Sequence, residues 1–168
     1  MKLDTPPDRL RPIGAPQLDR ARQLATASPR NRAILRYHEH HELLQRMLNA
    51  LSPGTYVPPH RHADPDKVEV FLALEGSAAV CRFDDGGALV QATRIAAAGP
   101  TRGVEIPPRT WHTVICLEPG TVLYELIEGP YSVHTHKRQA PWAPDEGSAQ
   151  ATDWLAALET RVQAMLQG

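Results

Sequence analysis

Cysteine is scarce in this sequence of 168 residues, and the two that occur, Cys81 and Cys116, both lie inside apolar runs. Such a pair does not make the disulfide framework of a small secreted protein, so the sequence favours a reducing compartment. The first residues, MKLDTPPDRL, lack the apolar core of a signal peptide, and no apolar run approaches the length of a membrane span. We therefore expect a cytoplasmic protein with no membrane partner.

An excess of charge of either sign is also missing, because the formal net charge is −1. A balanced chain gives no reason to expect nucleic acid or an acidic membrane surface as a partner. Apolar residues make up 42% of the chain, which is enough for a core, and the length fits one domain with appended ends. Proline is abundant, with 16 residues, and predicts many turns and short elements.

Helical periodicity occurs near both ends of the chain. Apolar residues recur at helical spacing over residues 17–26, and a Ser-Pro pair soon afterwards is expected to end that helix. A second helix is predicted over residues 152–166, with Thr152 or Asp153 as its cap. The polar segment RNRAILRYHEHHE, which follows the first helix, indicates no particular structure.

The central part of the chain has the pattern of short strands. From residue 43 to residue 128, apolar runs alternate with turn signals such as SPG, DDGG and EPG. This spacing predicts an antiparallel sandwich or small barrel, in which FDDGGA is the clearest hairpin. The sequence thus divides into an N-terminal arm and helical segment (1–42), a β domain (43–130) and a C-terminal loop and helix (131–168).

Four residues of the β segment have the chemistry of metal ligands. His60 and His62 are two positions apart, so on a strand both imidazoles project from the same face. Glu69 shares a strand face with Phe71, where a carboxylate is costly unless it is paired or coordinated. His112 begins another apolar strand. Each residue alone has an ordinary alternative as a turn pair, a surface acid or a core histidine, but together they favour a shared metal.

The four side chains form a mixed set of nitrogen and oxygen ligands. Such a set suits a divalent first-row metal, namely iron, manganese, zinc, nickel or cobalt, and does not suit a soft thiolate site. Four protein ligands leave two positions open on an octahedral ion, which water, O₂ or a pair of substrate oxygens can take. The expected partner is therefore a small oxygenated molecule.

The ligand spacing resembles the first motif of the cupin superfamily, in which glycines flank a His-x-His pair and a glutamate. Here the motif reads Gly54, five residues, His60-Arg61-His62, six residues, Glu69, six residues and Gly76, with a longer gap before the glutamate than is usual. The second motif is matched from Pro107 to His112, with Arg109 in place of a glycine and Cys116 in place of an asparagine. The resemblance implies a mainly β, cupin-type double-stranded β-helix (a jelly-roll barrel) with a metal, and short helices at both ends complete the predicted fold.

A closer resemblance is to the WbuC family of cupin-fold metalloproteins. It is carried by the segments SPRNRAILRYH, LLQRMLNALSPGTYVPPHRH, EVFLALEG, FDDGG and APWAPDEG, which span roughly residues 27–147. That family is associated with bacterial O-antigen and polysaccharide gene clusters. The resemblance therefore implies a divalent metal and a loose link to sugar chemistry, and it does not specify a reaction.

Six further residues are candidates for a ligand pocket. They are Arg30, Arg32, Tyr56, Lys67, Cys116 and Tyr124. Guanidinium forks suit a carboxylate or a phosphate, although an arginine-rich connector is more often a solvated face. Core packing explains the cysteine better than a pocket does, and it explains the tyrosines equally well. Exposure to solvent explains the lysine as well as a place at the mouth of the barrel does. A second His-x-His pair, His134 and His136, has no strand or acidic partner around it and is interpreted as surface.

Three hypotheses about function remain open on the sequence. The first is a metal-dependent enzyme, either an isomerase or epimerase or a dioxygenase, and no general base stands out to choose between these reactions. The second is a non-enzymatic module that binds or senses a small ligand. The third is a barrel whose metal is purely structural. The cupin resemblance also implies a homodimer.

Overall fold

The computed structural model describes residues 1–3 and 9–167. Part of the predicted N-terminal arm, residues 4–8, and Gly168 lie outside the described residues. Two helices and ten strands follow one another along the described part of the chain. In order they are α1 (Ala15–Thr26), β1 (Arg32–Arg36), β2 (Leu44–Leu51), β3 (His60–Arg61), β4 (Glu69–Glu75), β5 (Ser77–Phe83), β6 (Leu89–Ala96), β7 (Gly103–Ile106), β8 (Trp111–Cys116), β9 (Thr121–Glu128), β10 (Arg138–Gln139) and α2 (Ala149–Gln167).

The strands form two five-stranded sheets that pack face to face. The first has the order β1-β2-β9-β4-β7 and the second has the order β10-β3-β8-β5-β6. Alternate residues point inward, so Phe71, Ile95 and Leu123 are buried in one apolar core between the sheets. The predicted architecture, a mainly β jelly roll with a helix near each end, is confirmed.

Each helix covers the outer face of one sheet. Leu18 and Ala21 of α1 pack on the first sheet against residues such as Leu48. Leu158 and Val162 of α2 pack on the second sheet in a cluster that contains Cys81 and Trp111. Both sheets are therefore buried on both faces over much of their area, which explains their strongly apolar strands. Neither helix is long and apolar enough to cross a membrane, among the residues described.

The start of each helix differs from the sequence prediction. Helix α1 begins two residues earlier than predicted, at Ala15, because Pro16 is tolerated in a first turn. Helix α2 begins at Ala149, so Thr152 and Asp153 lie inside its first turns and the predicted cap was wrong. Ala151 is buried there against Tyr56, and this tertiary contact favours the longer helix.

The segment without a predicted structure contains β1, which pairs with β2 at the edge of the first sheet. The hairpin predicted from FDDGGA is confirmed, because β5 and β6 are antiparallel neighbours. Asp84 Oδ1 accepts hydrogen bonds from the backbone N–H groups of Gly86 (3.0 Å) and Ala88 (2.8 Å). Gly87 adopts φ +88°, and a Cβ there would lie 2.6 Å from the Trp142 ring, so glycine is required at this turn.

Candidate metal centre

Two strands of one sheet and one strand of the other bring the four predicted ligands together. His60 in β3 pairs directly with His112 in β8, and His62 follows β3 immediately. Glu69 is the first residue of β4 and faces them from the opposite sheet. One ligand atom from each of the four residues lies within 4.8 Å of all the others. All four side chains are buried, with relative exposures of 2–8%.

All three histidines direct Nδ1 at a backbone carbonyl oxygen. The partners are Pro58 for His60 (3.0 Å), His136 for His62 (2.6 Å) and Thr110 for His112 (2.9 Å). A carbonyl oxygen only accepts hydrogen bonds, so each Nδ1 must carry the proton. In the neutral imidazole this leaves a lone pair on Nε2, and the three Nε2 atoms face the interior. A carbonyl partner on the second nitrogen is the usual way in which proteins orient metal-binding histidines.

Glu69 Oε2 lies close to two of these nitrogens. It is 3.1 Å from His62 Nε2 and 2.9 Å from His112 Nε2. His112 Nε2 is nevertheless a buried polar atom without a hydrogen-bond partner, because its contact with Glu69 is short but poorly aligned. Lone pairs of neutral imidazoles and a carboxylate repel at this distance unless a proton or a cation lies among them. Neighbouring ligands at about 2.1 Å from one ion are separated by about 3 Å, so the spacing fits a divalent metal.

Protonation in the site also favours metal binding. Burial lowers the pKa of His60 well below its ordinary value, with the neighbouring His112 as the next cause, so this imidazole is neutral at pH 7. Burial alone raises the pKa of Glu69, but the contacts with His112 and His62 outweigh it and hold that pKa well below its usual range. A neutral imidazole and an ionised carboxylate are the forms that bind a divalent ion.

The lengthened gap between His62 and Glu69 is held in place by Arg109. The Arg109 backbone N–H donates to the His62 carbonyl at 2.9 Å. Its guanidinium group contacts Asp64 at 3.1 Å and Asp66 at 2.8 Å, and both belong to the loop formed by the gap. Arg109 adopts φ +63°, which explains why a glycine is usual at this position in the motif. Glu69 therefore reaches the histidines despite the longer loop.

A second buried carboxylate, which the sequence interpretation missed, lies beside the four ligands. Glu125 in β9 has a relative exposure of 7%, and its Oε2 accepts a hydrogen bond from Asn49 Nδ2 at 2.8 Å. Burial, with the neighbouring Glu69 as the next cause, raises the pKa of Glu125 to about 8. The signal was present in the sequence, because Glu125 alternates with Leu123 and Ile127 on the inward face of an apolar strand.

The interpretation of the second His-x-His pair was wrong for one member. His134 is exposed, but His136 is half-buried and its ring centroid lies 5.4 Å from that of His62. Burial lowers the pKa of His136 to about 4, with His62 as the next cause. The carbonyl of His136 holds His62 Nδ1, so this residue supports the cluster through its backbone. No local sequence pattern gives such a contact, which links residues 74 positions apart.

Two of the proposed pocket residues do not lie beside the four ligands. Cys116 faces inward like His112, but it is four residues further along β8, or about 13 Å at 3.3 Å per residue, and belongs to the apolar core. Tyr124 points to the outer side of the first sheet, where its ring centroid lies 6.1 Å from that of Tyr37.

Three other pocket candidates lie near the segment that leads into α2, which contains Pro144 and Glu146. Tyr56 donates to the Pro144 carbonyl at 2.8 Å, and Arg30 and Arg32 share the carboxylate of Glu146. Arg30 and Tyr56 line a cavity of about 430 Å³ there.

Lys67, the last of the six, is buried and has a structural role. Its Nζ donates to the carbonyl oxygens of Glu128 at 2.9 Å and Pro130 at 2.8 Å. The alternative in which Lys67 is exposed to solvent is therefore wrong, since the ammonium group ties the loop before β4 to the end of β9. A cavity of about 110 Å³ does reach the cluster, at His112, between walls that include Val80 and Ile106.

A family described as a domain of unknown function, DUF6016, matches residues 13–95. No curated protein sequence matches the chain. Among solved structures, CapF from Staphylococcus aureus, a capsular polysaccharide assembling protein, is 15% identical with a TM-score of 0.56, over 67% of this chain and 32% of that chain. KdgF from Halomonas sp. is 20% identical with a TM-score of 0.45, over 61% of this chain and 80% of that one.

Oxalate decarboxylase from Bacillus subtilis is 20% identical with a TM-score of 0.47, over 58% of this chain and 24% of that chain. The present chain thus spans about a third of CapF and a quarter of oxalate decarboxylase. All three proteins have cupin folds. The likeness to CapF shows the fold alone. The jelly roll of this chain is a fold of the cupin type.

Proposed function

We propose that the protein binds one divalent metal ion through His60, His62, Glu69 and His112, and that it binds or acts on a small oxygenated ligand at that ion. The observation that carries the proposal is the arrangement of the three imidazoles. Each has Nδ1 committed to a backbone carbonyl, and each turns Nε2 toward the interior beside the Glu69 carboxylate. Burial of four such groups is expensive without a shared cation.

The metal supplies Lewis acidity, which polarises a ligand oxygen when the ion is bound. The protein contributes the dry walls and the fixed orientation of the ligands. The cavity that reaches His112, at about 110 Å³, corresponds to roughly four water molecules at about 30 Å³ each, so the ligand is small. A sugar fragment or a carboxylate is the class proposed, and the metal remains one of iron, zinc, manganese, nickel or cobalt.

The biological setting is proposed from resemblance. The WbuC resemblance links the sequence to bacterial surface polysaccharide metabolism, and CapF, which shares the fold, is a capsular polysaccharide assembling protein. We propose a homodimer from the cupin resemblance and a cytoplasmic location from the scarcity of cysteine. An isomerase or epimerase and a dioxygenase are the two reaction classes that such a site supports, with Glu125 as a carboxylate available for proton transfer in the first.

Elemental analysis of protein purified without added metal tests the metal directly, together with X-ray absorption at the edge of the element found. About one divalent ion per chain is expected, with a first shell of three imidazoles and one carboxylate oxygen. An ion-free protein that takes up no cobalt, zinc, iron or manganese on titration contradicts the proposal. A shell containing sulfur also contradicts it, because none of the four proposed ligands carries sulfur.

The alternative is a binding or sensing module with a structural metal. The depth of burial of the four ligands favours it. The proton relaxation rate of water distinguishes a ligand-binding metal from a structural one. In protein loaded with Mn²⁺, an ion with open coordination positions exchanges water and relaxes solvent protons rapidly. A relaxivity enhancement that a small carboxylate suppresses supports the ligand-binding site, and relaxivity without any inner-shell contribution supports the structural metal.

A further inference from the structure

A loop that we call the strap (residues 130–139) crosses the end of the barrel beside the four ligands. It is tied down at both ends, where Tyr131 N–H donates to the His40 carbonyl and Ala140 N–H donates to the Pro59 carbonyl, both at 2.8 Å. Between these points the His136 carbonyl accepts the hydrogen bond from His62. The strap is therefore part of the wall of the site.

The pairing of β10 with β3 sets the direction of Lys137. Arg138 lies opposite Arg61 and Gln139 lies opposite His60 in an antiparallel register. Extending this register by one residue places Lys137 opposite His62. Residues that face one another across antiparallel strands project from the same side of the sheet, so Lys137 points into the barrel with the ligand histidine.

Lys137 is half-buried, and its ammonium group forms no hydrogen bond or salt bridge with any residue in the described part of the chain. Burial lowers its pKa, and the charges that act on it come from Arg32, Glu125, Glu69 and Arg30. The contrast with Lys67 is informative, since Lys67 satisfies two of its three donors with backbone carbonyls. A shielded ammonium group that lacks such partners has its donors free for a ligand.

The charge of the loaded site requires an anion. A divalent ion and Lys137 together bring three positive charges, and Glu69 and Glu125 cancel at most two of them. Arg32, whose charge lowers the pKa of Lys137 more than that of Arg30 does, is already paired with Glu146 at 2.7 Å. At least one positive charge is thus left in a site of low dielectric, where an uncompensated charge is costly.

A buried acceptor lies in the same interior. Asn49 donates through Nδ2 to Glu125, and its Oδ1 is buried without a hydrogen-bond partner. A hydroxyl group on the ligand would satisfy that oxygen. The free donors of Lys137 and the free acceptor of Asn49 together describe a small molecule with an acidic end and a hydroxyl end.

We propose that the site selects small hydroxycarboxylates and that Lys137 of the strap binds their carboxylate group. This inference rests on the proposed metal site. Lys137 is a binding residue under this proposal, and it takes no part in holding the metal.

The experiment uses the full-length protein loaded with Co²⁺, whose visible spectrum reports on the metal shell. Glycolate is titrated in, and glycolamide, which has the same shape without the charge, serves as the matched ligand. The variants are Lys137→Met, Lys137→Arg and, as a control on an exposed lysine that pairs with Glu39, Lys2→Met. Cobalt stoichiometry is measured for each protein before the titration.

Glycolate is expected to bind the wild-type protein and Lys2→Met equally. In Lys137→Met its dissociation constant should rise about tenfold or more, as for the loss of a charge-assisted hydrogen bond, while glycolamide binding stays the same and Lys137→Arg keeps most of the affinity. Unchanged glycolate binding in Lys137→Met overturns the proposal, and so does an equal loss for glycolamide.

The failure of the metal site is separable from the failure of this inference. A wild-type protein that takes up no cobalt refutes both. A wild-type protein that takes up cobalt but does not respond to glycolate leaves the metal site standing and refutes the role of Lys137. If Lys137→Met and a second variant, Lys137→Gln, both lose cobalt, the residue holds the strap in place and the proposal is wrong.

Discussion

The two His-x-His segments of this protein share a sequence pattern but differ in structure and in role. In the first, His60 and His62 lie at the end of a strand, and both imidazoles enter the barrel. In the second, His134 is exposed, while His136 is half-buried and contributes its backbone carbonyl to His62. The pattern alone therefore has no fixed meaning. Its meaning comes from the strand that carries it and from the groups that the opposite sheet places in front of it.

Removal of one histidine from each segment gives the largest expected difference. His60→Ala or His62→Ala should weaken cobalt or zinc binding by about a hundredfold or more, because changes to the hydrogen-bond partners of metal ligands alone cost about 10–100-fold and these residues are ligands. His134→Ala should leave the affinity unchanged, since its side chain is exposed. Competition with a coloured chelator measures the affinities. Equal losses in all three variants would show that the two segments do not differ as described.

The next largest effect is expected from Glu125, which lies beside the first segment. It should make the stability of the metal-free protein depend on pH. The pKa of Glu125 is raised to about 8 in the folded state, so the folded protein holds this proton more tightly than the unfolded chain. Its contribution to stability is complete below about pH 4.3 and is lost as the pH rises toward 8, by roughly a few kcal/mol in total.

Denaturant unfolding of the wild-type protein and Glu125→Gln between pH 5 and 9 measures this contribution as the difference between the two curves. Glutamine keeps the shape and does not titrate, so the variant should gain on the wild type as the pH rises. A constant difference between the curves would mean that Glu125 is ionised in the folded protein.

The second segment acts through its backbone, so removal of its inner side chain should have a smaller effect. His136→Ala keeps the carbonyl that accepts from His62 Nδ1 and removes a ring that packs against it. We expect a loss of metal affinity below about tenfold, less than for any ligand. Calorimetric titration with zinc measures it. A loss as large as that of His62→Ala would make His136 itself a ligand.

The smallest effect is expected at the turn that supports the first segment. Arg109→Gly relieves the cost of φ +63° and loses the exposed contacts with Asp64 and Asp66, which are worth about 0–1 kcal/mol each. The net change in the free energy of unfolding should stay within about 1 kcal/mol. Arg109→Ala, which loses the ion pairs without relieving the backbone, is the matched control and should be the less stable of the two in thermal unfolding.

Much of the fold and of the cluster could be predicted from the sequence. Strand alternation placed Glu69 on the same face as Phe71, and it placed Arg61 opposite to the histidines, where it lies 4.3 Å from the Trp111 ring centroid. The same rule would have found Glu125. It could not find His136, since the strap has no periodicity, and without the sheet order it could not show that both tyrosine candidates, Tyr56 and Tyr124, lie away from the four ligands.

The sequence by itself determined the periodicity of the elements, the spacing of the ligands and the chemistry that a mixed histidine and glutamate set supports, because these depend on neighbours along the chain. Tertiary structure alone decided that Glu69 from one sheet meets His112 from the other, that the His136 carbonyl fixes the tautomer of His62, and that Lys137 enters the barrel. These arrangements bring together residues that are distant in sequence, and only the packing of the two sheets and the path of the strap produce them.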